Sequence, residues 1–538
     1  MVRRTVICLK DASMIRRLAT PVVSAAALMF AAALPAGAAE TPPPAASPVS
    51  VKTATGVLNG TADAAGIMSF KGVPFAQPPI GPLRWQPAQP PKPAVTPIDA
   101  SRFGPACLQK TKLTPRELAA SGAPPAAVSE DCLTLNVWAP AKADKPLPVL
   151  VWLHGGGHTA GTGALVFYDG TRFARDGVIL VSANYRLGLL GYFAHPSLTK
   201  AAKGMPLASY GTTDQLEALR WVQRNIAAFG GDPTNVTVFG ESAGAQSTLT
   251  LLATPAAQGL FAKAIVQSGY IWGHFPTLAE AERTGAAVAT TLGLPGADAT
   301  PDQLRTLSGD ALIAAQDKLP PGPIVDGRLL PEAPVTAFAS HQFLHVPLMI
   351  GTNSNEGSLV SARDPASVLA EGSKDITAAG KAYYKAEAKD DAALARKLWR
   401  DWTFTVPSRW VARQTGRETA TWLYRFDYVP EHWRATHDGV DHGLEIPFVF
   451  DSWAKIPFAG AILTDADRAE TAVVHGCWVS FAKTGVPSCP GLPAWPRYNG
   501  GDDTVMYFGP VNATRTHLDT EILDAVEAAR IAKGVLKP

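Results

Sequence analysis

A single serine, Ser242, lies between two glycines in the stretch GESAG, residues 240–244. The pattern G-x-S-x-G is typical of a nucleophilic serine on a tight strand-to-helix turn, where small neighbours relieve the crowding of a strained backbone. A β-branched and aromatic run, Val236–Phe239, precedes the motif, and an Ala-rich segment follows it. We therefore interpret Ser242 as a candidate nucleophile, which needs a base, an acid and an oxyanion hole.

Upstream of this serine, an apolar run leads into the segment WLHGGGH, residues 152–158. Three consecutive glycines let the chain turn its backbone amides toward one point, with no side chain in the way. A developing oxyanion needs such donors, and the amide after the nucleophile, at Ala243, would be a further one. The order of the two motifs along the chain is the one that this chemistry requires.

The base should be a histidine well downstream, because this motif goes with the order serine, acid, histidine. The candidates are His341, His345, His432, His437, His442 and His475. His442 is favoured because it lies in a short glycine-containing turn, GVDHGLEIPFVF, and loops on a rigid scaffold commonly carry catalytic side chains. His437 is the alternative, and His475, in a predicted helix beside Cys477, is predicted to be structural.

The acid that orients the imidazole should follow a strand, because an open α/β sheet displays its site at strand ends. Glu356 lies in IGTNSNEGSLV, just after the apolar run VPLMI. Asp326, in GPIVDGRLLP, is the alternative. We expect Glu356 to be the acid.

Continuous apolar runs, which suit strands covered on both faces, recur through the chain. Six of them begin near residues 149, 177, 235, 263, 346 and 421. Between the second and third run, Leu216, Leu219 and Val222 recur at helical spacing in a segment that ends at Gly230–Gly231. This alternation predicts an α/β fold with a large, mostly parallel central sheet flanked by helices. Pro276–Gln342 and Ser361–Arg417 are predicted to be helical insertions that shape the substrate pocket.

The first 39 of the 538 residues are predicted to be an export signal. Arg16 and Arg17 precede an apolar run to about Leu34, which is short for a membrane span, and small residues follow near Ala38. An uncleaved membrane anchor is the alternative, and Met14 is an alternative start to Met1. Residues 40–50 are predicted to be a Pro-rich linker. Residues 51–538 are treated as a single domain.

Charge and cysteine content narrow the class of protein. The net charge is only +2, so no strongly basic surface suggests nucleic acid as a partner. Beyond the signal lie Cys107, Cys132, Cys477 and Cys489. An even number in an exported chain favours two disulfides, and chain order favours the two local pairs, Cys107–Cys132 and Cys477–Cys489. Buried free thiols are the alternative, and no CxxC spacing suggests a zinc site.

Several long segments resemble the type-B carboxylesterase and cholinesterase-like family of α/β-hydrolases. They are FKGVPFAQPPIGPLRWQPAQP (70–90), SEDCLTLNVWAP (129–140), ANYRLGLLGYF (183–193) and DQLEALRWVQRNIAAFGGDPTNVTVFGESAG (214–244). The resemblance extends from about Val51 to Phe508. Thr134 and the segment SYGTTDQ depart from the family's usual residues, and both changes are expected to be local.

The resemblance implies that Gly156, Gly157 and Ala243 supply the amides of the oxyanion hole. It supports the Cys107–Cys132 disulfide, since Cys132 lies in the matching EDCL.

The same family picks out His442 through a segment similar to HGxELxYVF, and Glu356 through one similar to GxNxxEG. Asp326 resembles a structural VDG turn. Glu241 and Ser268 match family positions near the triad, where they could support the pair of acid and base or simply pack.

Together these features predict an exported, periplasmic or secreted serine carboxylic ester hydrolase. It would act on a small-molecule ester through an acyl-enzyme, without a metal or organic cofactor. An amidase or an aryl or polyester hydrolase with the same triad is the alternative, and a non-catalytic adhesion-type domain is a further one. Aromatic side chains that could line the acyl and alcohol pockets are Trp272, Phe275, Trp402 and Phe404.

Overall fold

The computed structural model describes residues 46–110, 128–316, 322–372, 376, 378–456 and 459–532. The predicted export signal lies outside these residues. Within them, no helix is both long and apolar enough to cross a membrane.

The strands of the described chain are dominated by one large sheet. Their bounds are β1 Ser47–Thr53, β2 Gly56–Ala62, β3 Ile67–Pro74, β4 Ile98–Asp99, β5 Ala106–Cys107, β6 Val128–Ser129, β7 Thr134–Pro140, β8 Leu147–Leu153, β9 Ile179–Ala183, β10 Gly231–Glu241, β11 Lys263–Gln267, β12 Leu348–Asn353, β13 Thr421–Phe426, β14 Val505–Phe508 and β15 Ala513–Arg515. The large sheet has the order β1-β2-β3-β7-β9-β8-β10-β11-β12-β13-β14-β15, with β4 beside β2. Strands β5 and β6 pair separately.

The centre of the large sheet, from β9 to β14, is parallel throughout. The six predicted strands are β8 to β13 and occupy this centre, whereas antiparallel pairs form its flanks. Val149 and Val151 of β8 pack in one apolar core, while Leu150 and Trp152 pack in the other. Both faces of the sheet are therefore covered, as the continuous apolar runs predict.

Helices cover these faces and fill the predicted insertions. Their bounds are α1 Thr171–Arg175, α2 Gly188–Gly191, α3 Pro196–Ala201, α4 Tyr210–Asn225, α5 Ala243–Leu252, α6 Leu278–Thr291, α7 Pro301–Arg305, α8 Gly309–Ala315, α9 Pro334–Ala339, α10 Pro365–Gly372, α11 Ala378–Glu387, α12 Asp391–Arg400, α13 Val406–Thr415, α14 Ile446–Phe450, α15 Ala459–Ile462, α16 Asp465–Thr484 and α17 Thr520–Ala532. The helix predicted from the spacing of Leu216, Leu219 and Val222 is α4, and it continues as a 3-10 turn, Ile226–Phe229, that ends at Gly230. Helices α6 to α9 separate β11 from β12, and α10 to α13 separate β12 from β13.

The N-terminal edge of the sheet differs from the predicted linker over residues 40–50. Ser47–Ser50 belong to β1, whose residues pair antiparallel with β2. Val49 and Val51 pack against the hydrophobic core. These contacts hold the segment in the sheet, although its Pro-rich composition is typical of a linker. Residues 40–45 lie outside the described chain.

Two disulfides fasten loops to this scaffold. Cys107 is bonded to Cys132 with a Cα–Cα distance of 4.9 Å, and Cys477 to Cys489 with one of 4.4 Å. These are the two local pairs that chain order favoured. The first disulfide lies next to β5 and β7, and the second ties the segment after α16 back onto that helix.

Candidate active site

Ser242 lies at the junction of β10 and α5, with φ 56° and ψ −121°. A non-glycine residue is strained in this region, and such strain persists only where the surrounding structure fixes it. Its amide donates to the carbonyl of Gln267 on the neighbouring strand, at 3.0 Å. A Cβ atom on Gly244 would lie 1.9 Å from the carbonyl oxygen of Leu153. The last glycine of GESAG thus allows α5 to start directly against β8, and Ser242 is left partly exposed at the turn.

The triple glycine forms a tight loop after β8. Gly156 has φ 109° and Gly157 φ 61°, and a Cβ on Gly156 would lie 2.1 Å from the carbonyl oxygen of Ala160. Among the described residues, the amides of Gly156 and Gly157 donate no hydrogen bond. The amide of Ala243 is at the first position of α5, where a helix offers no internal acceptor. These three donors are available to an external oxygen.

Glu356 and His442 meet on the other side of the site. Glu356 begins a short 3-10 turn after β12 and is fully buried. Its Oε2 lies 2.5 Å from His442 Nδ1. Its Oε1 accepts hydrogen bonds from Ser268 Oγ at 2.5 Å and from the amide of Asn353 at 2.7 Å. The carboxylate is therefore fixed by donors on both oxygens and can in turn fix the imidazole.

The loops that carry Glu356 and His442 are joined to each other as well. The Asn355 side chain donates to Asp441 Oδ1 at 2.6 Å, and its amide donates to the carbonyl of Val440 at 2.9 Å. The amide of His442 donates to Ser358 Oγ at 3.0 Å. These hydrogen bonds hold the loop of Glu356 and the loop of His442 in a fixed position relative to each other, although the two loops are far apart in sequence.

The second ring nitrogen of His442 faces Glu241, the residue before Ser242. Nε2 lies 3.0 Å from Glu241 Oε1, a close contact between the imidazole and the carboxylate. Burial of the ring lowers its pKa, but the charges of Glu241 and Glu356 outweigh burial and raise the pKa of His442 well above its ordinary value. Because Nδ1 faces Glu356, Nε2 is the nitrogen that can accept a proton once the ring is neutral.

A third buried carboxylate, Glu445, escaped the sequence interpretation. Its oxygens accept from Asn353 Nδ2 at 2.6 Å and from Gln267 Nε2 at 3.0 Å. Burial first, and then the charge of Glu241, raise the pKa of Glu445 to about 8. Glu445 lies three positions after His442 in DHGLE. The only sequence signal for a buried carboxylate here was a charged residue directly before the apolar run IPFVF.

The alternative acid and bases have other partners. Asp326 Oδ1 accepts hydrogen bonds from three consecutive backbone amides, those of Arg328, Leu329 and Leu330.

The alternative histidines also have other partners. His475 lies 2.8 Å from the carbonyl of Val449 and 2.9 Å from Asp176. His437 lies 3.8 Å from Asp441. His341 lies 3.4 Å from Glu418, the ring of His345 packs on Phe343, and His432 lies in a 3-10 turn. The structure brings Glu356 and His442 together and places Asp326 in a turn.

The four aromatic candidates have different surroundings. The ring of Phe404 lies 5.0 Å from that of His442. Trp272 and Trp402 lie beside the guanidinium of Arg530, at 5.7 and 4.4 Å. Phe275 is buried. Phe404 is therefore the candidate in contact with the proposed base.

A mostly parallel sheet with a strained serine at the end of one strand, a glycine loop after its neighbour, and a Glu–His pair in the segments that follow two further strands is the arrangement of the α/β-hydrolase fold. The chain belongs to the Carboxylesterase family, whose sequence profile matches residues 47–525.

Individual proteins that resemble this chain are also named as esterases. The chain is 36% identical to fumonisin B1 esterase of Sphingopyxis macrogoltabida, over 82% of this chain and 83% of that protein. It is 36% identical to para-nitrobenzyl esterase of Bacillus subtilis, over 84% of this chain and 92% of that protein. A solved PNB esterase structure superimposes with a TM-score of 0.78 at 33% identity, covering 89% of this chain and 99% of that one. Carboxylic ester hydrolysis is accordingly the activity of this protein, and the non-catalytic alternative is not supported.

Proposed function

We propose that Ser242 is the nucleophile, His442 the base and Glu356 the acid of this esterase. The amides of Gly156, Gly157 and Ala243 form its oxyanion hole. The observation that carries the proposal is the buried contact of 2.5 Å between Glu356 and His442. It selects one histidine and one carboxylate among the candidates, and it leaves Nε2 as the atom that exchanges protons.

In the first half of the reaction, Ser242 Oγ attacks the ester carbonyl carbon while His442 Nε2 takes the hydroxyl proton. The former carbonyl oxygen carries the negative charge and accepts hydrogen bonds from the hole amides, which stabilise the transition state. The C–O bond then breaks, and Nε2 returns the proton to the departing alkoxide, so that an alcohol leaves and an acyl-serine remains.

In the second half, water attacks the acyl-serine and gives its proton to Nε2. The second tetrahedral intermediate collapses, the proton passes to Ser242 Oγ, and the carboxylic acid is released. Every proton that moves passes through one nitrogen. The orientation of the His442 ring by Glu356 therefore matters in both halves.

Glu241 and Ser268 are assigned supporting roles. Ser268 donates to the acid at 2.5 Å and so orients its carboxylate. Glu241 lies 3.0 Å from Nε2, where its charge favours the imidazolium that forms during each attack. The same charge opposes the neutral ring needed at the start, so Glu241 affects the pH dependence of the reaction.

The substrate that we propose is a small-molecule carboxyl ester, and we propose that the enzyme works after export. Two relatives are named for small-molecule esters. Two disulfides in the described chain support export, because disulfides persist in oxidising compartments. The ring of Phe404 beside His442 is proposed to form one wall of the substrate pocket.

The nucleophile is tested with Ser242→Ala on a p-nitrophenyl ester. Loss of a nucleophile of this kind typically lowers kcat by about 10⁶-fold, so no turnover above background is expected. A fluorophosphonate should label the wild-type protein at Ser242, as identified by peptide mass spectrometry. The exposed-residue variant Ser488→Ala should retain both activity and labelling. Turnover by Ser242→Ala, or labelling at another serine, would refute the assignment.

A further inference from the structure

A buried polar cluster lies directly behind the glycine loop, formed by His158, Ser247 and Gln215. His158 Nε2 is 3.1 Å from Ser247 Oγ, and Gln215 Nε2 donates to the same oxygen at 2.9 Å. Each of the three residues is only 1% exposed. In the mechanism above, none of them touches the substrate or exchanges a proton.

The three residues come from three elements that meet at the oxyanion hole. His158 immediately follows Gly157 in the glycine loop. Ser247 lies one turn beyond Ala243 in α5, and Gln215 lies in α4. The hydrogen bond between His158 and Ser247 therefore connects the element that carries two hole amides to the element that carries the third.

The backbone of His158 shows that this residue is fixed as well as connected. Its φ of 57° is unfavourable for a residue with a Cβ atom. Its carbonyl accepts a hydrogen bond of 2.7 Å from the amide of Gly188. Its ring packs edge-on against Tyr192, with centroids 5.1 Å apart. A strained conformation held by contacts on several sides is the arrangement expected of a positioning residue.

The environment of His158 argues against a second serine–histidine nucleophile. Ser247 lies inside a helix and is closed off from solvent, so no ester can reach its hydroxyl. Burial, followed by the charge of His154, lowers the pKa of His158 to about 3. The ring is therefore neutral near pH 7, and its contact with Ser247 is a hydrogen bond between neutral groups.

We propose that His158 positions the oxyanion hole by fixing, through Ser247, the spacing between the Gly156–Gly157 amides and the Ala243 amide. The inference rests on the proposed roles of these amides. The hole acts on the charge of the transition state, so a change in spacing should lower kcat and leave substrate binding almost untouched. Misplacement by about 1 Å can cost about 100-fold in rate.

The test replaces His158 by Phe, which keeps a ring of similar size and removes the hydrogen bond. With a p-nitrophenyl ester, kcat per titrated active site should fall by about 10- to 100-fold, while KM should stay within about twofold. Binding of a trifluoromethyl ketone, which forms a tetrahedral adduct with the nucleophile, should weaken by the same factor. Titration with a fluorophosphonate restricts the comparison to folded enzyme.

Two further variants separate positioning from general packing. His158→Gln places an amide at about the reach of Nε2, and it should restore most of kcat. Ser247→Ala should lower kcat in the same direction as His158→Phe, and the double variant should be no worse than His158→Phe, which removes the contact with Ser247 and the hydrogen bond to the Ala243 backbone together. Ser247→Ala also decides the matter if His158→Phe does not fold.

The matched control is His195→Phe. His195 is fully buried and also contacts a serine, with Nδ1 2.9 Å from Ser197 Oγ, while Nε2 lies 2.9 Å from the carbonyl of Gly296. It should lose stability but keep kcat and ketone binding. An unchanged kcat in both His158→Phe and Ser247→Ala, an equal loss in His195→Phe, or no recovery in His158→Gln would overturn the proposal. If the wild-type enzyme is not labelled at Ser242, the proposed function fails instead.

Discussion

The two halves of the proposed site differ in what holds their functional groups in place. The half that holds Glu356 and His442 consists of buried side chains joined by charge and hydrogen bonds, at 2.5 to 2.7 Å around the acid. The half that holds Ser242 and the hole consists of backbone in tight turns, where a Cβ atom would lie 1.9 Å from a carbonyl at Gly244 and 2.1 Å from one at Gly156.

This difference predicts different responses to mutation. In the acid–base half, an isosteric change that removes charge should alter rate or pH dependence while the fold persists. In the nucleophile half, the proposed donors are backbone amides, and adding one methyl group should be enough to move them. The predictions below test that contrast, beginning with the largest effect.

Glu356→Gln should be the most damaging change to the acid–base half. The amide keeps the volume of the acid but removes the charge that stabilises the His442 cation. Loss of the equivalent interaction in other triads lowers kcat by about 10⁴-fold, and we expect about 10³ to 10⁴ here. Stopped assays with a p-nitrophenyl ester, together with circular dichroism, would measure rate and fold separately.

Asp326→Asn is the matched control, because it removes the alternative acid. Asp326 accepts three turn amides, so its replacement should lower the unfolding temperature but leave kcat of the folded enzyme within a few-fold. A larger fall in kcat for Asp326→Asn than for Glu356→Gln would reverse our choice of acid.

Gly156→Ala should break the nucleophile half sterically. The new methyl group would meet the Ala160 carbonyl, and the loop must shift to relieve the clash. Loss of one hole donor typically lowers kcat by about 10² to 10³-fold, which is the expected range, with little change in KM. The measurement is steady-state kinetics per titrated site.

Gly204→Ala controls for backbone strain in that experiment. Gly204 also has a positive φ, 91°, but a Cβ there would meet no atom of the described residues within 4 Å. It should cost about 1 kcal/mol of stability and no activity. Equal kinetic losses in the two variants would show that the clash at Gly156 is irrelevant to the hole.

The same contrast explains what could be predicted from the sequence. The nucleophile half is local, because GESAG and HGGG each predict a backbone geometry within a few residues. The apolar runs before these motifs become the neighbouring strands β10 and β8, which place the two motifs side by side. The sheet was predictable for the same reason, because burial on both faces leaves a continuous apolar pattern. The family resemblance supplied the long-range pairing.

The acid–base half depends on contacts between distant residues, which no short pattern encodes. Glu356 and His442 are 86 positions apart, and Glu445 becomes part of the site only because Gln267 and Asn353 point toward it. A carboxylate that folding buries looks like any surface glutamate in the sequence. The hydrogen bonds of Glu445 and the proposed role of His158 therefore required the structure.

Glu241→Gln should change the pH dependence more than the maximum rate. The neutral form of His442 appears only above its pKa, which the Glu241 and Glu356 charges raise despite burial. Removing the Glu241 charge lowers that pKa, so the acid limb of kcat/KM should move to lower pH. The measurement is kcat/KM between pH 5 and 9.

The exposed carboxylate Glu431 offers a control for that shift, since Glu431→Gln removes an equal charge that is not among those raising the pKa of His442. Its acid limb should coincide with that of the wild-type enzyme. A limb that stays in place in Glu241→Gln, or moves to higher pH, would contradict the assigned role of Glu241.

Glu445→Gln should have the smallest effect on rate and a measurable effect on stability. The folded protein holds the Glu445 proton up to about pH 8, whereas the unfolded chain releases it near pH 4.5. Between these values the folded state binds more protons, so the free energy of unfolding falls as pH rises. This contribution is complete below about pH 4.5 and is lost as pH passes 8.

Glutamine mimics the protonated acid at every pH, so the variant should show a flatter dependence of unfolding free energy on pH from 5 to 8, measured with urea. Glu470, whose pKa burial raises to about 7, provides the comparison. Glu470→Gln should flatten the dependence of the unfolding free energy on pH between about pH 5 and 7, and it should keep the wild-type slope between pH 7 and 8. If Glu445→Gln keeps the wild-type slope in that upper interval, Glu445 does not hold its proton there, and the buried carboxylate is compensated by its amide donors alone.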